Sequence, residues 1–153
     1  MNLQADEDIY FMKLAREEAM LAYRAGEVPV GAVVVRDRQV LARAHNLREA
    51  SCDPSAHAEI LALRASTESS DTWRLSGTTL YVTMEPCIMC SGAIINARVG
   101  RLVYGCRDIK AGGVDSLYSI LSDNRLNHQV AVTAGVLEAD CAALLRQFFK
   151  ERR

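Results

Sequence analysis

This chain of 153 residues is defined first by what it has little of. It has only three prolines, and no repeat, linker or low-complexity run breaks it up. That excludes collagen-like and disordered classes. It has no excess of charge: Lys plus Arg is 18, Asp plus Glu is 19, and the formal net charge is -1. Total charge therefore gives no sign of nucleic-acid binding, which would have to come from a local basic patch. No apolar stretch approaches the roughly 18–20 residues of a membrane span. The first eight residues lack the basic start and apolar run of a secretory signal, so a cytoplasmic protein with no membrane partner is expected.

Cysteine is present but does not form a disulfide pattern. The five are Cys52, Cys87, Cys90, Cys106 and Cys141. An odd number without an export signal points to reduced thiols, free for a metal or for the core. Hydrophobic residues make up 50% and charged residues 24%, an ordinary globular balance, and the length suits a single domain over 1–153.

Periodicity predicts a helix from Asp6 to Tyr23, with Met12, Ala15, Ala19, Ala22 and Tyr23 as its buried stripe and Gly26 as its stop. Gly31–Val35 reads as a strand, and Gln39–His45 as its hairpin partner across Arg36, Asp37 and Arg38. Asp53-Pro54 reads as a helix start, with the helix running to about Thr67. Further along come a strand at Thr79–Thr83, a helix from Cys87 to Asn96 opened by Pro86, and a strand at Arg101–Gly105. A loop spans Cys106–Gly113, and a short helix is expected at Leu117–Leu121. A strand at Gln129–Thr133 and a helix from Leu137 to the end complete the chain. Strands separated by helices favour parallel neighbours. The expected fold is a three-layer α/β/α sandwich with a mixed five-stranded sheet.

Two short segments carry chemistry: His57-Ala58-Glu59 and Pro86-Cys87-Ile88-Met89-Cys90. A CxxC alone can be two core cysteines, a redox pair or half of a structural zinc site. The flanking aromatic of a redox pair is missing. A structural zinc site needs four protein ligands, and there is no second CxxC. With His57 added, three ligands and an open fourth position describe a catalytic metal. Cys87 and Cys90, at i and i+3, can face one point, and Pro86 sets Cys87 at a helix start, where thiolates are favoured. His57 also lies near a helix start. Two helix N-termini can share one cation because the two thiolates neutralise it. Glu59 is an acid complementing the helix dipole, or a proton carrier for a metal-activated water and a leaving amine. Side chains two apart on a helix point about 200° away from each other, so His57 and Glu59 share a site only at a helix end.

H-x-E followed by P-C-x-x-C resembles the zinc nucleobase deaminases. The resemblance extends over Gly26–Val35, His45-Asn46, Asp53–Ile60, Met84–Ala93, Val103–Asp108 and Asp140–Leu145, which look like bacterial tRNA adenosine deaminases of the cytidine deaminase superfamily. It implies a cytidine deaminase-like fold and one Zn2+ per subunit on His57, Cys87 and Cys90, with water as fourth ligand. It further implies Glu59 as the catalytic acid/base and homodimers acting on the wobble adenosine of a tRNA anticodon stem-loop. It places Asn46, Val30, Ala58, Arg107 and Asp108 against the substrate, with Asp108 accepting a hydrogen bond from ribose. Taken alone, Asn46 is an end-of-strand turn residue, and a charged loop such as Arg107–Lys110 is solvated. A deaminase of free bases or nucleotides, such as guanine or cytidine, would use the same metal chemistry. A non-enzymatic zinc module binding RNA would have no use for Glu59.

His45 and His128 read as surface or loop histidines, Cys141 as core and Cys52 as an incidental loop thiol. By resemblance, Cys106 lies in a loop beside the substrate pocket. On the last helix, Arg146, Lys150 and Arg153, with Arg152, either follow phosphates or complement the helix C-terminus. Met89, Ala93 and Ile94 are a candidate dimer face or core.

Overall fold

The computed structural model describes residues 2–152, and the statements that follow are made of these. The order is α1 (Leu3–Arg24), β1 (Gly31–Arg36), β2 (Gln39–His45), α2 (Ala58–Glu68), β3 (Thr79–Met84), α3 (Ile88–Asn96), β4 (Arg101–Cys106), a 3-10 turn (Ile120–Ser122), β5 (Ala131–Ala134) and α4 (Glu138–Glu151). The sheet order is β2-β1-β3-β4-β5. β1 is antiparallel to β2 and β3, while β3, β4 and β5 run parallel.

Strand alternation sorts the side chains into two cores. Ala32, Val34, Leu80, Val82, Leu102 and Tyr104 meet α2 and α3 through Ala62 and Ile94. Val33, Val35, Tyr81 and Val103 point the other way, onto Phe11, Met12 and Ala15 of α1 and Cys141 and Leu145 of α4. This is the expected three-layer sandwich. With both faces covered, β1 reads as one continuous apolar run. α1 crosses β1 so closely that a Cβ at Gly31 would lie 2.5 Å from the Ala19 backbone nitrogen. The hairpin turn needs only Asp37 and Arg38, at φ 49° and 63°, the left-handed pair of a tight two-residue turn; Arg36 pairs with Gln39.

Several expected boundaries move. α1 starts at Leu3, because the Asn2 side chain accepts from the Ala5 N–H at 3.1 Å and caps it. In its stripe Tyr23 is only half-buried, whereas Asp8 is buried. The helix expected from Pro54 begins at Ala58 instead. Asp53 does not cap it; its carboxylate accepts from the N–H (2.8 Å) and hydroxyl (2.7 Å) of Ser55, closing a local turn. The expected helix at Leu117–Leu121 is the single 3-10 turn at Ile120–Ser122. The last strand lies two residues later at its start than expected, and it is a largely exposed edge.

A candidate metal site and catalytic cleft

The carboxyl ends of the parallel strands β3 and β4 open onto the site, as is usual for ligand sites in α/β sheets. β3 ends at Met84; Glu85 and Pro86 turn the chain into α3, and Cys87 is that helix's N-cap residue. His57 is the N-cap residue of α2. Neither side chain bonds to its own helix end, so both are free to face each other. His57 Nδ1 lies 3.6 Å from Cys87 Sγ and 3.5 Å from Cys90 Sγ. The three ligand atoms all fall within 4.8 Å of one another, and this is the one such group among the described residues able to hold a metal ion.

Glu59 is the second residue of α2 and is 4% exposed. It shares a site with His57 because both stand at the helix end, as the spacing requires. Burial pushes its carboxyl up to about 7, and the nearby His57 opposes this. Cys87 is pulled down to about 4, first by hydrogen bonding with Cys90 and then by His57. A ready thiolate is the form a metal binds.

His57, Glu59 and Cys87 line a cleft of about 1300 Å³, with Cys90 fully buried beside them. Its floor and near wall include Val30, Asn46, His57, Glu59 and Cys87. Cations rim it: Arg48, Arg107, Lys110, Arg146, Lys150 and Arg152.

A model of the MafB19-like deaminases matches residues 5–153. The chain belongs to that family. It is 46% identical over 153 residues, all of this chain and 90% of the relative, to a tRNA-specific adenosine deaminase of Streptococcus pyogenes serotype M1. A solved tRNA:A34 deaminase, studied for A-to-I editing at the wobble position of transfer RNA, superposes with a TM-score of 0.86. It is 43% identical, over 89% of this chain and 99% of that one. A guanine deaminase from Nitrosomonas europaea superposes at 0.77 with 28% identity, over 90% of this chain and 81% of that one.

In this deaminase, Asn46 is buried and partly committed. Its Nδ2 donates to the Val28 carbonyl (3.3 Å) and its Oδ1 accepts from the Arg48 N–H (3.2 Å). One amide hydrogen and one lone pair stay open to the cleft. Asp108 also lines the cleft, but its Oδ1 accepts from the N–H groups of Lys110 and Ala111, each at 3.1 Å. The Ala58 side chain is fully buried in the α2–α3 core. Cys106 lines the cleft while buried, its thiol donating to the Thr83 carbonyl at 3.6 Å. Cys141 is core and Cys52 exposed, as read. His128 lies in a loop and His45 ends β2, and both are half-buried. His45 pairs with Glu18 at 3.0 Å, and His128 bonds the Val99 carbonyl at 2.8 Å. Ile94 is buried and Met89 is 38% exposed. Arg153 lies outside the described residues.

Sequence reasoning missed two buried glutamates. Glu27 accepts from the N–H groups of Glu49 (2.9 Å) and Ala50 (2.7 Å), bracing the loop after Asn46. Glu85 braces the opposite wall. Burial would raise its pKa, but the Ser116 hydroxyl and surrounding N–H groups outweigh that and hold it below the usual value. The available signal was their position: Glu27 directly follows Gly26, and Glu85 directly precedes Pro86-Cys87.

Proposed function

We propose that the chain is a zinc-dependent hydrolase converting adenosine to inosine at the wobble position of a tRNA anticodon, with release of ammonia. One observation carries the reading above all. His57, Cys87 and Cys90 converge, and His57 and Cys87 line a cation-rimmed cleft together with a buried Glu59. The chain is also like tRNA-specific adenosine deaminases along its whole length.

The donor set suits zinc. A tetrahedral ion with Zn–S about 2.3 Å and Zn–N about 2.0–2.1 Å sets nitrogen and sulfur about 3.5–3.6 Å apart; the observed separations are 3.5 and 3.6 Å. When bound, zinc on three protein ligands supplies Lewis acidity that brings the pKa of a water toward ~7. Glu59 takes a proton from the attacking water and delivers it to the purine ring nitrogen N1. It then takes the proton of the new C6 hydroxyl and passes it to the departing amine, so that the C6–N bond breaks as the C6 carbonyl of inosine forms and ammonia leaves. Its raised pKa suits a group that must both accept and donate near neutrality. Asn46 uses its free amide hydrogen and lone pair to orient the purine, with Val30 against the base. Arg107, Lys110, Arg146 and Lys150 meet phosphates, and Asp108 offers its second carboxylate oxygen to ribose. A looped-out anticodon base reaches such a cleft more easily than a paired one.

The same reading takes residues 1–153 as one deaminase domain working in the cytoplasm, where its tRNA substrate is. No helix of the described residues is long and apolar enough to cross a membrane. It also takes the chain as a homodimer, for which Ile88 and Met89 offer exposed apolar side chains at the start of α3. A free-base deaminase is the competing reading, given the guanine deaminase likeness. Against it, the cleft exceeds the roughly 300–1,000 Å³ of small-molecule pockets and is rimmed by cations that a neutral base does not need. Incubation with total bacterial tRNA, followed by inosine mapping, is the test. Inosine at one anticodon position is expected; ammonia from free guanine with no inosine in tRNA would overturn the reading.

A further inference from the structure

The inference rests on the function just proposed and deepens it. We infer that Glu85 is a positioning residue that clamps the substrate-facing loop, residues 107–113, onto the turn that carries Cys87.

Glu85 is 2% exposed and spends both carboxylate oxygens on one segment. Oε2 accepts from the N–H groups of Val114 (3.1 Å), Asp115 (2.8 Å) and Ser116 (2.9 Å). Oε1 accepts from the N–H of Asp108 (3.1 Å) and from the Ser116 hydroxyl. Three successive N–H groups around one oxygen form an anion-binding nest. Here the anion is a side chain of the protein itself. Both ends of the loop, at 108 and at 114–116, are therefore held by one carboxylate two residues from Cys87.

Neighbouring contacts tighten the same joint. The Gly113 N–H donates to the Pro86 carbonyl at 2.8 Å, and Gly112 forms an isolated bridge with Cys87. A Cβ at Gly112 would fall on the Glu85 carboxylate, so the close approach needs glycine there. The Tyr104 hydroxyl donates to Asp115 at 2.5 Å, adding a tie from β4. Arg107 and Asp108 at the first held end, and Ile109, Lys110 and Ala111 between the two ends, line the cleft. Ile109 is 76% exposed. A loop with so little packing of its own keeps its shape through its anchors. Glu85 itself borders the cleft, but both of its oxygens are taken up by the loop, so it acts through the loop on substrate placement.

Glu85→Gln keeps the size of the side chain but aims an NH2 group at backbone donors in either orientation of the amide. Hydrogen exchange of the zinc-loaded protein should show the amides of 108 and 114–116 exchanging faster by roughly tenfold or more, the scale of losing a charge-assisted hydrogen bond. KM for an anticodon stem-loop should rise several-fold, with a smaller fall in kcat and zinc still at one per chain. Glu27→Gln should loosen the amides of 49 and 50 instead and leave 114–116 protected. Should Glu85→Gln fail to fold, Ser116→Ala decides the matter: it removes one bond and should speed the same amides by a smaller factor. Unchanged exchange at 108 and 114–116 would overturn the inference. So would a loosened loop with unaltered KM, or a loss of zinc that alone accounts for lost activity. The exchange measurement needs no turnover. A wild-type protein inactive on tRNA would therefore sink the substrate reading and leave the clamp to be judged on its own.

Discussion

Asp8 and Glu59 are equally buried, at 4% exposure each, yet they are treated in opposite ways. Asp8 lies toward the amino ends of the parallel strands. Arg101 grips it with two bonds, at 2.8 and 2.6 Å, and the Tyr81 hydroxyl adds a third at 2.9 Å. Burial would raise its pKa, but these partners outweigh it and hold Asp8 below the usual carboxylate value. Glu59 lies at the other end and has no such grip. Burial dominates there and lifts it to about 7. Equal burial thus makes one carboxylate a fixed anion that joins α1 to the sheet and the other a group able to exchange its proton. What separates them is the company supplied by distant parts of the chain.

The comparison breaks most visibly at Glu59. Glu59→Ala should lower the rate of inosine formation by roughly 10²–10⁴, the usual share of a general acid/base, with zinc still bound and the unfolding midpoint no lower than wild type. Normal turnover in that variant would end the proposed mechanism. Asp8→Asn should do the reverse. It leaves Arg101 facing a neutral partner at a largely buried site and should cost about 3 kcal/mol of stability, or roughly 6–12 °C in Tm, with kcat at moderate temperature unchanged. A pH series sharpens this. The folded pKa of Asp8 is depressed, so its contribution is complete above the unfolded value of about 3.9. It is lost as pH falls below that through the folded value. Denaturant midpoints should decline on that acid limb in wild type and flatten in Asp8→Asn. The smallest effect belongs to the rim of the cleft. Arg146→Ala with Lys150→Ala should weaken tRNA binding and reduce the slope of log affinity against log salt by about 1.4, for two phosphate contacts on single-stranded RNA. An unchanged slope would return these residues to the role of helix C-terminal cations.

Much of this was legible from the residues in order. The apolar, β-branched run Gly31–Val35 gives β1, and the i, i+3 spacing of Cys87 and Cys90 brings both thiols to one point. The two-residue spacing of His57 and Glu59 requires a helix end, where both are found. Asp53-Pro54 misled because an aspartate that can cap a helix can equally close a turn on Ser55, and local sequence does not distinguish the two. Glu85 and Asp8 escaped for another reason. Their partners lie 23–31 and 73–93 residues away, so only the folded chain brings them together.

One consequence follows from His57 and Cys87 both being N-cap residues whose side chains make no cap bond. An unpaired helix start is prone to fray, and here a single ion, bound as proposed, would splice two of them together. Zinc would then govern how long the polypeptide survives as well as what it catalyses. In a metal-starved cell the starts of α2 and α3 would open to proteases, and the amount of enzyme would fall along with its activity.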